Sequence, residues 1–261
     1  MGKKVFKNIF LYLVFAFLFL PIIVLIVYSF NSSSMNIMFD SFTFEWYHKL
    51  FQNSDLIESF INTIIVASVS TVISTVIGTM SAYGLYKYNF PGKNIINGLI
   101  YVPIVIPEIV LGISLLSIFT LMQLELSLFT IILSHIAFSI PFVIVSVRST
   151  LNNDIKVLEE ASKDLGASNF TIFKEIVLPT IMPAIVSGAT LAFTLSLDDV
   201  VISYFTAGPG SNTLPLYIYS LIKTGITPDV NALSTLMMLV VFTILISVTF
   251  YQTRKIRSRA I

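Results

Sequence analysis

From Ile9 to Phe30 the chain runs 22 residues without a charged side chain, and a stretch of that kind leaves few folds open. A helix rises 1.5 Å per residue, so about 20 apolar residues cross the roughly 30 Å of hydrocarbon in a bilayer. In that medium every backbone N–H and C=O has to be bonded internally, which restricts a spanning segment to a helix or a closed barrel. Five further segments pass the same length and polarity test: Phe60 to Tyr86, Ile95 to Met122, Ser127 to Val147, Ile181 to Phe205 and Leu233 to Tyr251. The fold class expected is an all-α integral membrane protein of six transmembrane helices, with residues 1–261 forming one transmembrane domain. Composition agrees, since 11% of residues are charged where soluble domains carry roughly a quarter. The first segment follows Lys3, Lys4 and Lys7 as a signal peptide would, but it is too long for one and no A-x-A pattern follows, so it reads as a retained helix.

Loop charge gives these helices a direction, because Lys and Arg are held on the cytoplasmic side during insertion. With the N-terminus inside, thirteen of the fifteen basic residues fall on the inner side, leaving only Lys49 and Lys223 outside. Both termini are therefore expected in the cytoplasm. Cysteine is absent, which removes disulfides and thiolate metal sites. His48 and His135 are the only histidines, so no metal site is expected, and His135 reads as a packed helix residue.

Two connections exceed what a linker needs. The outer segment 31–59 carries Asp40, Glu45, Asp55 and Glu58 among aromatics including Trp46 and Tyr47. The cytoplasmic stretch 148–180 carries charges of both signs. Within it Asp154 is suited to cap a short helix bearing Ile155, Leu158 and Leu165 near one face, and Gly166 to end it at positive φ. Ser168 is suited to cap a second helix, which Pro179 and Pro183 are expected to interrupt. The product is a helix, turn, helix knob with small residues Ala161, Ser162, Gly166 and Ala167 at its tip.

Glu160, Ala161 and Ser162, then three residues, Gly166, nine residues, and Ile176, Val177, Leu178 and Pro179 resemble the EAA---G---------I-LP signature of permease subunits in binding-protein-dependent ABC importers. Only the second alanine departs from it, as Ser162. The resemblance implies the type I importer permease fold. It also implies that Glu160, Ala161, Ser162, Gly166, Leu178 and Pro179 belong to a coupling helix that docks on an ATPase subunit. No G-x-x-x-x-G-K-[ST] phosphate loop occurs in the chain, so ATP and Mg are expected on that partner, with no cofactor bound here. No nucleophile, base and orienting group stand together, so no catalytic residue is expected.

Cargo is read from the acids inside the apolar segments, each of which costs about 2.5–3.5 kcal/mol at mid-bilayer. Glu108 follows Pro107 on the third segment, and Asp198 and Asp199 lie together on the fifth. Counting residues from the cytoplasmic end places all three in the outer half of the bilayer. With no Lys or Arg inside any segment to pair with them, they suit an external cation. Ser196, Asp199 and Ser203 fall on one helical face and Asp198 about 100° away, so one aspartate is expected to face a pathway directly. Pro103 and Pro107 are expected to free carbonyl groups near Glu108. Trp46, Tyr47 and Tyr204 are candidates to hold an alkylammonium by cation–π attraction, and Trp46 equally suits an interfacial anchor.

FTFEWYHKLF, YVPIVIPEIVLGISLL and LAFTLSLDDVVISYFTAGPGSNTLPLYIYS are similar to the PotC-type permease subunits of spermidine/putrescine importers. That resemblance implies polyamine import in company with a homologous permease subunit, two ATPase subunits and an extracytoplasmic polyamine-binding protein, with membrane lipid around the chain and no nucleic acid. Two alternatives stay open on the residues alone: an ABC importer permease for another small solute, and an ion-coupled secondary transporter using the acids as a proton relay.

Overall fold

The structure is a computed structural model, and it describes residues 2–33, 38–224, 228, 230–239 and 242–243. Among them there is no named strand, only an isolated bridge between Asn31 and Phe42. The helices are α1 (Gly2–Tyr28), α2 (Glu45–Leu50), α3 (Ser54–Lys87), α4 (Lys93–Val105), α5 (Glu108–Leu121), α6 (Leu128–Arg148), α7 (Asn153–Asp164), α8 (Asn169–Ile172), α9 (Leu178–Asp198), α10 (Val201–Thr206) and α11 (Leu214–Thr224).

Four helical stretches are long and apolar enough to cross a membrane: Phe6–Tyr28, Ser54–Lys87, Leu128–Arg148 and Asn169–Asp198. They contain most of the first, second, fourth and fifth expected segments. The third is corrected, because α4 and α5 meet at a bend of 110° and are not one straight helix. Pro107 is the cause. Its ring pushes the preceding residue out of the α region, and Ile106 is extended at φ −68°, ψ 135°. Pro103, by contrast, is accommodated inside α4. A depth for Glu108 counted along one straight axis therefore does not hold. The sixth segment, Leu233 to Tyr251, lies largely outside the described residues, of which Val230–Leu239 is a short apolar helix.

The chain divides into two compact units, one of residues 1–57 with 220–261 and one of residues 58–219. In the first, Phe30 stacks on Phe42 with centroids 5.0 Å apart and meets Phe44 edge-on at 5.5 Å. The buried Trp46 donates its indole N–H to the Asn31 carbonyl.

In the second unit α6 is the central helix, with Ile131, Val143 and Val147 fully buried. It approaches α9 closely at Gly188, where a Cβ would stand 3.3 Å from the Val143 Cα and 3.1 Å from the Ser146 Cβ. Ser146 also donates to the Ala184 carbonyl at 2.9 Å. Small residues and a hydroxyl at a helix interface are what association in lipid favours, since apolar burial alone gives no drive there. Gly112 does the same between α5 and α10, a Cβ there falling 2.6 Å from the Phe205 ring. The segment after α10 is tied to α3 by Leu214 N–H donating to Thr63 Oγ1 at 2.7 Å and Asn62 donating to the Asn212 carbonyl at 3.1 Å.

Candidate coupling and translocation sites

Residues 148–180 fold as a knob whose caps differ in part from expectation. Asn152, not Asp154, caps α7: its Oδ1 accepts the N–H of Asp154 at 3.1 Å and of Ile155 at 3.2 Å. The Asn oxygen satisfies the orphan donors that open the helix, and Asp154 sits inside the first turn. Gly166 ends α7 at φ 85°, with Gly166 N–H donating to Lys163 O and Ala167 N–H to Ser162 O. Ser168 Oγ accepts the Thr171 N–H at 3.1 Å.

Pro179 and Pro183 do not interrupt the second helix. A π-helical turn over Phe173–Val177 precedes Leu178, and α9 runs on with Pro179 in its first turn and Pro183 inside it. The wider turn contains Glu175, whose carbonyl a proline at 179 would otherwise crowd.

One side of the knob is buried and the other is not. Ile155, Ile172 and Val177 pack in one core with Ala82 and Leu85 of α3 and Val147 of α6. Leu158 and Leu165, which sequence spacing puts beside Ile155, are 51% and 90% exposed. They stand on the free side with Phe170 and Val157, and Glu160 and Ala161 are exposed there too. Ser162 is half-buried and donates back to the Leu158 carbonyl.

Glu159, which no sequence motif singles out, is buried and anchors the knob to α3. It accepts the Tyr83 hydroxyl at 2.8 Å, with Lys87 Nζ 3.8 Å away. Lys87 in turn donates to the Tyr83 hydroxyl at 2.6 Å and lies 5.0 Å above its ring. Tyr83 also meets Phe173 at 5.0 Å, and Tyr86 donates to the Asn152 carbonyl at 3.2 Å.

The three acids separate into different surroundings. Glu108 is the first residue of α5 and exposed, at the end of a helix whose dipole favours negative charge. Asp198 is the last residue of α9 and exposed. Asp199 is buried, because the expected helix from Ile181 to Phe205 is broken there: Asp199 is extended at ψ 125° and α10 begins at Val201. Its Oδ1 accepts the Ile202 N–H at 3.1 Å, and its Oδ2 accepts the N–H and Oγ–H of Ser203, both at 2.8 Å.

His135 Nε2 stands 3.2 Å from the same Oδ2. The expectation that the acids lack an internal partner is corrected for Asp199 by this fully buried histidine. His135 Nδ1 is 2.6 Å from Ser196 Oγ, which lies 3.4 Å from Ser70 Oγ. Ser196 is thus a buried network residue with Asp199 and Ser203, and the three converge across a break instead of along one face.

Tyr204 is 56% exposed and edge-on to Phe205 and Tyr219. Over Trp46, Lys49 Nζ sits 4.6 Å from the ring centroid and covers one face of the indole.

Helices long and apolar enough to cross a membrane, with one bent pair among them and an exposed knob, define a multi-pass membrane protein. Residues 74–259 match the family described as "Binding-protein-dependent transport system inner membrane component", and the chain belongs to that family. It is 41% identical over 237 residues to the "Spermidine/putrescine transport system permease protein PotC" of Haemophilus influenzae, covering 91% of this chain and 92% of that protein. It is 46% identical over 226 residues to the protein of the same description from Escherichia coli strain K12, covering 86% and 85%. Its fold matches a chain of a bacterial ABC transporter involved in the import of the acidic polysaccharide alginate, with a TM-score of 0.71, 17% identity and coverage of 96% and 98%.

Proposed function

We propose that this chain is the permease subunit of an ATP-driven importer of polyamines, with spermidine and putrescine as cargo. The observation that carries the reading is the likeness to the two PotC proteins along nearly their whole length, joined to two exposed carboxylates, Glu108 and Asp198, in otherwise apolar surroundings. Residues 1–261 act as one permease domain of six membrane crossings with both termini in the cytoplasm, as the loop charges support. The bent pair α4 and α5 counts as one crossing.

The pathway is assigned to Glu108, Asp198 and Tyr204, with Ser196 and Asp199 behind them. Trp46 stays a candidate in the outer segment, with Lys49 over one face of its ring. A polycation has to be released inward, so a few carboxylates with an aromatic neighbour suit transport better than a deep acidic cage.

Energy enters through Glu160, Ala161, Ser162 and Gly166 on the knob and reaches the membrane through Leu178 and Pro179 at the start of α9. The partners in this reading are a homologous permease subunit, two ATPase subunits that hold ATP and Mg, and an extracytoplasmic polyamine-binding protein. Alternating access follows: the loaded binding protein docks outside, ATP draws the knobs together, and the cation passes the acids.

The substrate class is tested by uptake of labelled spermidine into vesicles carrying the complete complex, with unlabelled competitors. Putrescine is expected to compete and a neutral sugar or a zwitterionic amino acid is not. Competition by the neutral solute and none by putrescine would sink the polyamine assignment while leaving the permease class intact.

A further inference from the structure

The acid pair divides into a residue that meets cargo and a residue that does not. We propose that Asp199 and His135 are positioning residues, a buried hydrogen-bonded lock on the break between α9 and α10 that holds Asp198 toward the cation pathway. This rests on the polyamine-permease reading and specifies it further.

The break has no backbone cause of its own. Sharp breaks in helices occur at proline, at glycine or where a side chain inserts into the hydrogen-bond ladder, and residues 196–203 read SLDDVVIS. Here the side chain is that of Asp199. Its carboxylate takes the Ile202 and Ser203 N–H groups, which are orphan donors of the first turn of α10. It also takes the Ser203 hydroxyl at 2.8 Å and stands 3.2 Å from His135 Nε2.

Four donors of the chain gather on the Asp199 carboxylate, three of them on Oδ2, and its side chain is only 4% exposed. Burial and these donors together leave Asp199 poorly placed to meet an ammonium group. His135 is held to its role from the other ring nitrogen, 2.6 Å from Ser196 Oγ, with Nε2 also 3.2 Å from Ser203 Oγ. These partners assign the Nε2 proton toward Asp199. The lock thereby joins α6, α9 and α10, and Ser70 of α3 touches it through Ser196.

Asp198, one residue earlier, is exposed and its side chain has no hydrogen-bond or ionic partner among the described residues. A carboxylate in an apolar segment is costly against lipid, so its open side suits water, cargo or a partner subunit. In an unbroken helix the next residue would simply follow 100° round. The break instead turns Asp199 inward and leaves Asp198 at the last turn of α9.

The test uses the assembled complex and the fact that this chain has no cysteine. Asp198→Cys introduces its sole thiol, which is labelled in membranes with a cationic methanethiosulfonate. Labelling is expected, slowed by spermidine, slowed further when His135→Leu is added, and restored with His135→Gln, whose amide nitrogen takes the Nε2 position. Should His135→Leu prevent assembly, the isosteric Asp199→Asn takes its place.

In uptake, Asp198→Asn is expected to raise KM by roughly fivefold, the loss of one charge contact in a hydrated path, and more for trivalent spermidine than for divalent putrescine. Asp199→Asn, which loosens the lock that presents Asp198, is expected to raise KM with the same preference for spermidine, by no more than Asp198→Asn does, and to add nothing further in the double variant. Equal labelling in all His135 backgrounds, or a charge-dependent KM rise in Asp199→Asn with none in Asp198→Asn, overturns the lock and leaves the polyamine reading standing. No effect of either substitution on uptake, with no spermidine protection, removes the pathway reading itself.

Discussion

Replacing Gly166 with valine is expected to cut ATP-driven uptake by about tenfold or more while the chain still inserts. Gly166 sits at φ 85°, and a Cβ built there meets nothing within 4 Å, so the penalty is conformational and not a clash. An L-residue in the left-handed region costs roughly 1–2 kcal/mol, more when β-branched, and about 1.4 kcal/mol is tenfold in a population. The turn fixes how α7 presents its exposed side, including Glu160, Ala161 and Leu165, which is the side proposed to dock on the ATPase. Gly166→Asn is the control, because Asn tolerates this region and is expected to retain most activity. The readout is uptake per assembled complex beside the ATPase rate stimulated by binding protein. Equal activity of the valine and wild-type complexes would show that the turn does not control docking.

A larger structural effect is expected from Glu159→Leu. Glu159 is buried and shared between Tyr83 and Lys87, and losing one member of a buried charged pair costs about 3–5 kcal/mol because the other is left uncompensated. The knob's apolar contacts through Ile155, Ile172 and Val177 remain, so it stays attached but loses its polar tie to α3. The expected phenotype is uncoupling, with ATP hydrolysis retained and uptake lost. Glu159→Gln, which still accepts from Tyr83, is expected to lie between the two. Coupled transport at the wild-type rate in Glu159→Leu would refute the anchor.

The knob is largely legible in the sequence because its signals are local. Ser168 caps the turn that follows it, and Gly166 adopts the positive φ its position demands. The start of α7 is less plain, since both Asn152 and Asp154 carry capping oxygens and spacing alone does not choose between them. The apolar segments are equally visible, but their continuity is not. Pro107 bends the third by 110°, whereas Pro183 lies inside α9 without breaking it.

What local pattern does not supply is pairing across the fold. His135 and Asp199 are 64 residues apart in sequence, and a lone histidine in an apolar run carries no mark of its partner. Likewise Glu159 differs from Glu160 only in which side of α7 it occupies, one buried against Tyr83 and the other exposed. The α9 break is hidden for a related reason: side-chain bonds hold it, and neither proline nor glycine stands there to announce it.

In the proposed function, energy reaches this chain by contact with a separate ATPase. The most direct measurement is uptake of labelled spermidine by proteoliposomes that hold this chain alone or together with its second permease, ATPase and binding protein. Uptake is predicted only in the complete assembly, dependent on ATP and unaffected by a protonophore. Uptake by this chain alone, driven by an ion gradient and abolished by the protonophore, would contradict coupling to an ATPase.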